Sequence, residues 1–202
     1  NRIWVLNFAN RSIGNRFGLF SDKTQTYVFN VTTDGNVGIK TNASPSYALS
    51  VAGEINVNGS GSVNCLTIKG GCDWYEESNT TDDLQPGEIA VINVDGSLNS
   101  VLKSSKAYDR TVVGVVSGAG GINPGIGLKQ SGILEGNTKI AMGGKVKVYV
   151  FGDVKPGDLL TSSAKPGYAM AVKNRKKAFG AVIGKALTEA DKDGLVLMQV
   201  LL

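Results

Sequence analysis

Two stretches decide the fold: Leu84-Gln85-Pro86-Gly87-Glu88-Ile89, closed downstream by Val113-Gly114-Val115-Val116-Ser117-Gly118, and Val154-Lys155-Pro156-Gly157-Asp158-Leu159, closed by Phe179-Gly180-Ala181-Val182-Ile183-Gly184. Pro86 and Pro156 stand 70 positions apart, while the closings, aligned on Gly114 and Gly180, stand 66 apart. Each opening runs apolar, polar, Pro-Gly, acid, apolar. Proline presets φ at the second residue of a turn and glycine accepts positive φ at the third, so each opening reads as a type II turn launching a strand. Each closing alternates small and β-branched residues around a glycine, the composition of a buried strand where backbones approach closely. The reading is a β domain built from two pseudo-repeated halves.

Composition agrees. The 202 residues suit one large domain or two small ones, and 42% hydrophobic residues suffice for a core. Twenty-seven glycines without long amphipathic helical patterns point to short strands and tight turns. The one helical candidate is a single turn at Thr188–Lys192. The final run, Leu195-Val196-Leu197-Met198-Gln199-Val200, is nearly all apolar and reads as a buried central strand. No apolar run approaches a membrane span. Asn1-Arg2-Ile3-Trp4 already reads as strand, so the chain is expected to be a fragment of a longer polypeptide.

Residues 1–33 read as two or three strands, with Ile3 and Val5 before Phe8, turn signals at Gly14 and Gly18, and Tyr27, Phe29 and Val31 on one face. After the Asp34-Gly35 turn, Val37 and Ile39, Leu49 and Val51, then Ile55 and Val57 come in apolar pairs. A monomer of such thin strands would leave this stripe wet. Trp4 reads as packed in this stalk.

The matching letters Gly35-Asn36-Val37-Gly38-Ile39, Ser44-Pro45, Tyr47, Leu49, Val51 and Gly53 resemble a segment recurring in phage tail fibres and fibre-like bacterial adhesins; Lys40 stands where that pattern has glycine. The resemblance implies a homotrimer in which three chains wrap short strands about one axis, each covering the others' apolar stripes. Downstream, Leu66–Gly71, Ala107–Ala119, Gly121–Gly125, Gly144-Lys145-Val146, Lys155–Thr161, Pro166-Gly167 and Ile183–Leu187 resemble a module that follows such segments, with the tip domains of mosaic adhesive trimer fibres as the nearest setting. The turn grammar is more distantly similar to trimeric phage capsid-decoration proteins. That module implies architecture and setting rather than chemistry.

Several chemistries are disfavoured by composition. With no histidine, Ser-His-Asp and Cys-His arrangements are impossible and the commonest transition-metal ligand is missing. Cys65 and Cys72 are separated by six residues and suit either a small disulfide loop or two free thiols, not a zinc site. Ser21-Asp22-Lys23 is an isolated hint of a Ser-Lys dyad without the helices of a self-cleaving chaperone domain. The net charge is +4, with its basic run Lys173-Asn174-Arg175-Lys176-Lys177 lacking interleaved aromatics, so a solvated loop is preferred to a nucleic-acid surface. Gly118–Gly121 and Gly125–Gly127 lack the Lys-Ser/Thr of a phosphate loop. Asp73, Glu76 and Glu77, and Asp82 and Asp83, are sequence-adjacent acids of an exposed loop rather than the facing pair of a glycosidase. No metal or cofactor is expected, and no enzyme.

Binding is better supported. Trp74 and Tyr75 lie together in the polar stretch Gly70–Thr81, flanked by Asp73, Glu76 and Asn79. An exposed indole can stack on the apolar face of a sugar while acids take its hydroxyls; the competing role for Trp74 is to cover a core edge or a subunit contact. Tyr149, Phe151, Tyr168 and Phe179 read as core. The expectation is an all-β homotrimer, with a short intertwined fibre-like stalk at residues 1–62 and a globular β tip at 63–202. Its expected function is receptor recognition, not turnover, at a cell surface: the distal tip of an extracellular virion or bacterial fibre, glycan its ligand, with no nucleic-acid partner and no membrane insertion. The rivals are a ligand-free trimerisation cap and a glycan-cleaving spike.

Overall fold

The computed structural model describes residues 4–8, 16–21, 23–24, 26–32, 34–41, 48–51, 71–96, 98–129 and 132–202. Outside them lie the Gly14 turn, Asp22, the Ser44–Tyr47 part of the fibre-like motif, Ile55 and Val57, Cys65 and residues 66–70, and the packing of the Trp4 side chain. The described chain is nearly all β and forms two compact units, Asn1–Leu66 and Thr67–Leu202.

The first unit is a five-stranded sheet in chain order: β1 (Trp4–Phe8), β2 (Arg16–Ser21), β3 (Thr26–Thr32), β4 (Val37–Ile39) and β5 (Leu49–Val51). Neighbours are antiparallel except β4 and β5. Gly35, at φ 82°, turns β3 into β4, its N–H donating to the Thr32 carbonyl. Register aligns Phe17 with Val31 and Val37, and Leu19 with Phe29 and Ile39; Leu49 and Val51 extend the two rows. Since side chains alternate along a strand, these eight apolar residues share one face. Tyr27 does not join them: a bulge between Leu19 and Phe20 turns it to the opposite face, where it is buried, with Phe20 edge-on at 5.1 Å.

The second unit carries β6 (Asp73–Ser78), β7 (Ile89–Ile92), β8 (Val101–Lys103), β9 (Val112–Val116), β10 (Ile126–Leu128), β11 (Thr138–Tyr149), β12 (Leu159–Ser162), β13 (Ala169–Ala171), a four-residue helix α1 (Arg175–Ala178), β14 (Val182–Ala186) and β15 (Leu195–Val200). The strand path is β13-β12-β14-β15-β11-β9-β7-β8, with β6 between β10 and β11. It contains one motif twice. In the first copy the order is β8-β7-β9-β11-β6, and a parallel bridge Asn79–Ser100 returns it to the edge of β8. In the second the order is β13-β12-β14-β15-β11, returned by the bridge Val150–Ala169. Each copy is thus a small closed barrel, and β11 serves both: its first half ends one copy and its second half begins the other.

The registers superimpose. Ile89, Ala90 and Val91 face Val115, Gly114 and Val112; Leu159, Leu160 and Thr161 face Lys185, Gly184 and Val182, with the bulge at the same step. Ile140 pairs with Val116 and Glu76, as Met198 pairs with Ala186 and Val146. The closings therefore match as Val112–Val116 with Val182–Ala186, also 70 positions apart, and the 66-residue alignment on Gly180 is corrected. Backbone contact selects Gly184: a Cβ on Gly114 would lie 2.6 Å from the Ala141 carbonyl oxygen and one on Gly184 2.4 Å from that of Gln199. Both openings are the expected turns, with Gly87 and Gly157 at φ 91° and 95° and i to i+3 bonds of 3.0 Å.

Other expectations are revised. The helix lies in the basic run, capped by Asn174, whose Oδ1 accepts the N–H groups of Lys176 and Lys177, while Thr188–Lys192 is non-helical. Phe151 and Phe179 are exposed, Phe179 at 82%, not core. β15 lies between β14 and β11, with Leu195, Val196, Met198 and Val200 buried, as its composition predicts.

Candidate functional site

The stretch read as a polar loop is strand β6, paired antiparallel to β11 and parallel to β10. Trp74 is 51% exposed, and its indole lies over Gly143, where any Cβ would fall 1.5 Å from Nε1. Gly144, at φ +88°, admits no side chain because a Cβ there would meet the Cys72 carbonyl oxygen at 2.4 Å. The bulge of β11 at Ala141–Gly143 provides this flat seat opposite β6.

Asp73, only 6% exposed, and Trp74 both line a depression of 310 Å³ completed by Gly71, Cys72, Ile126 and Gly144. One carboxylate oxygen, Oδ1, accepts the Gly125 N–H at 2.7 Å. The other, Oδ2, is buried and meets no donor. Buried carboxylate oxygens are ordinarily hydrogen-bonded, and this one stands apart from that rule. Cys72 is an exposed free thiol.

The other predicted site residues go elsewhere. Lys139 Nζ stands 5.1 Å from the centre of the Tyr75 ring. Glu76 lines a different cavity, of 240 Å³, with Ser78, Val113, Ile140 and Met142. Asn79 Nδ2 donates to the Glu135 carbonyl at 3.1 Å, a structural bond. Of the five predicted residues, Asp73 and Trp74 line one depression; Ile126 and the Gly143-Gly144 seat carried no signal that the sequence analysis used. Adjacent glycines inside a strand pattern are the signal that marks that bulge.

No family model and no curated protein matches this chain. Among solved structures, the chain is similar to the N base of head fiber gp8.5 in bacteriophage phi29, with 16% identity and a TM-score of 0.37, covering 61% of this chain and 90% of that one.

The remaining acids have local tasks. Glu77 meets Lys129 at 3.6 Å. Asp82 Oδ2 accepts the Lys103 N–H at 2.7 Å, and Asp83 accepts from the Gln85 amide. Among the described residues no three His, Cys, Asp or Glu gather to hold a metal ion, and no helix is long and apolar enough to cross a membrane.

Proposed function

We propose that this chain is the distal part of a homotrimeric fibre outside the cell or on a virion, and that its tip recognises a cell-surface glycan without cleaving it. The observation that carries the ligand class is one depression lined by both Asp73, whose buried Oδ2 is unpaired, and the half-exposed Trp74. A sugar ring offers both complements at once: an apolar face for the indole and a hydroxyl to donate to the carboxylate. The apolar face of β2–β5 supports the trimer, since Leu19, Ile39 and Leu49 remain exposed in a single chain, Leu49 at 56%. Three modest sites on one tip gain by avidity.

A glycan array with the purified chain tests the reading. Binding to at least one glycan class is expected, weakened about tenfold or more in Trp74→Ala and in Asp73→Asn, a loss of about 1.4 kcal/mol. A folded wild-type trimer that retains no glycan, or variants that bind as well as wild type, would leave the ligand-free cap as the better account. Release of reducing sugar by the chain, abolished in Asp73→Asn, would replace recognition with cleavage.

A further inference from the structure

The two barrels are built alike but filled differently. In the second, Val146, Val148, Ile183 and Met198 are fully covered, and Ile89, Val115 and Ala141 of the first barrel belong to the same buried cluster. In the first barrel the equivalents of those four are Glu76, Ser78, Val113 and Ile140, and they line the cavity of 240 Å³. The equivalents of Ile89, Val115 and Ala141 on the second barrel are Leu159, Lys185 and Gln199, of which Leu159 and Lys185 are exposed. So the first barrel has the socket without an occupant, and the second has the projecting face without a socket.

The differences between the copies are matched in charge. Val115 and Val146 share the buried cluster; their counterparts are Lys185 and Glu76. Among the described residues the Glu76 carboxylate meets no cation and the Lys185 ammonium no carboxylate. We propose that the Leu159–Lys185–Gln199 face of one copy of this chain seats in the Glu76 cavity of the next, repeating between chains the contact that joins the barrels within one. Such a contact joins unlike surfaces, and three of them close a ring of six alternating barrels. The proposal rests on the trimer reading above and specifies how the tip assembles. Glu76 then serves assembly rather than ligand binding.

Light scattering on a sizing column, with the full chain and the variants Glu76→Lys, Lys185→Glu and the double exchange, tests it. Wild type is expected to run as a trimer, each single variant to assemble at least tenfold more weakly, and the exchange to restore the trimer. Trimers undisturbed by both single changes overturn the ring and leave the trimer standing, as does weakening that the exchange fails to rescue. A wild-type monomer overturns both. Circular dichroism checks the fold; should a charge reversal lose it, Glu76→Gln and Lys185→Gln read the same contact, with weaker assembly expected and an unchanged trimer counting against it.

Discussion

Asp109 illustrates how single polar groups hold the turns of this molecule. Partial burial pushes its carboxyl up, but hydrogen bonds from the Thr111 hydroxyl and N–H, at 2.7 and 2.9 Å, with Lys106 nearby, outweigh that and hold it below the ordinary value. A depressed carboxyl contributes stability that is present above its unfolded value of about 3.9 and lost as pH falls through the folded one. Asp109→Asn should therefore lower the urea midpoint at pH 7 and flatten its decline between about pH 5 and 3; an unchanged decline would mean that other carboxylates set it. At the two Pro-Gly turns the Glu88 and Asp158 carboxylates each accept the N–H three residues back, at 2.8 and 2.9 Å. Asp158→Ala should cost about 1 kcal/mol in urea unfolding. The Pro-Gly turn was legible in sequence because its φ demands are local. The acid's bond was not, since an acid after Pro-Gly equally suits a solvated tip.

At the scale of elements, sequence periodicity served where a strand's own pattern shows its pairing and failed where distant partners impose it. Trp74–Glu77 reads as polar loop because its acids hide the alternation, yet β11, more than sixty residues on, pairs with it along its length. The closing strand was set four residues out of place because Gly180 and Gly184 both sit among small apolar residues, and only the approach of the Gln199 backbone selects the second. Four-residue α1 is too short to show a helical period. The unequal filling of the barrels makes an element-scale prediction. Ile183→Ala removes a fully buried side chain and should cost about 2–5 kcal/mol, whereas Val113→Ala, at the matching cavity position, should cost about 1 kcal/mol or less. Urea unfolding of both variants at equal protein concentration compares them; equal losses would mean that the cavity position is as tightly packed as its counterpart.

For the whole molecule, all-β architecture and a thin apolar N-terminal sheet could be read from composition, turn residues and paired apolar positions. The closed barrels could not, because the bridges Asn79–Ser100 and Val150–Ala169 leave no mark in the local pattern. With a chain mass of 21.1 kDa, a trimer should scatter as about 63 kDa. Leu19→Asp, on the shared face of β2–β5, should reduce the trimer fraction at micromolar concentration; a full trimer in that variant would assign assembly to the second unit alone. Strand β11 carries one more consequence. Because it is the last staves of one barrel and the first of the next, neither barrel can melt and leave the other with its full complement of hydrogen bonds. Tandem copies joined by a mere linker could come apart in sequence, as beads do; these two should lose their heat-capacity signal together, in one calorimetric peak whose van't Hoff enthalpy matches the whole of residues 67–202.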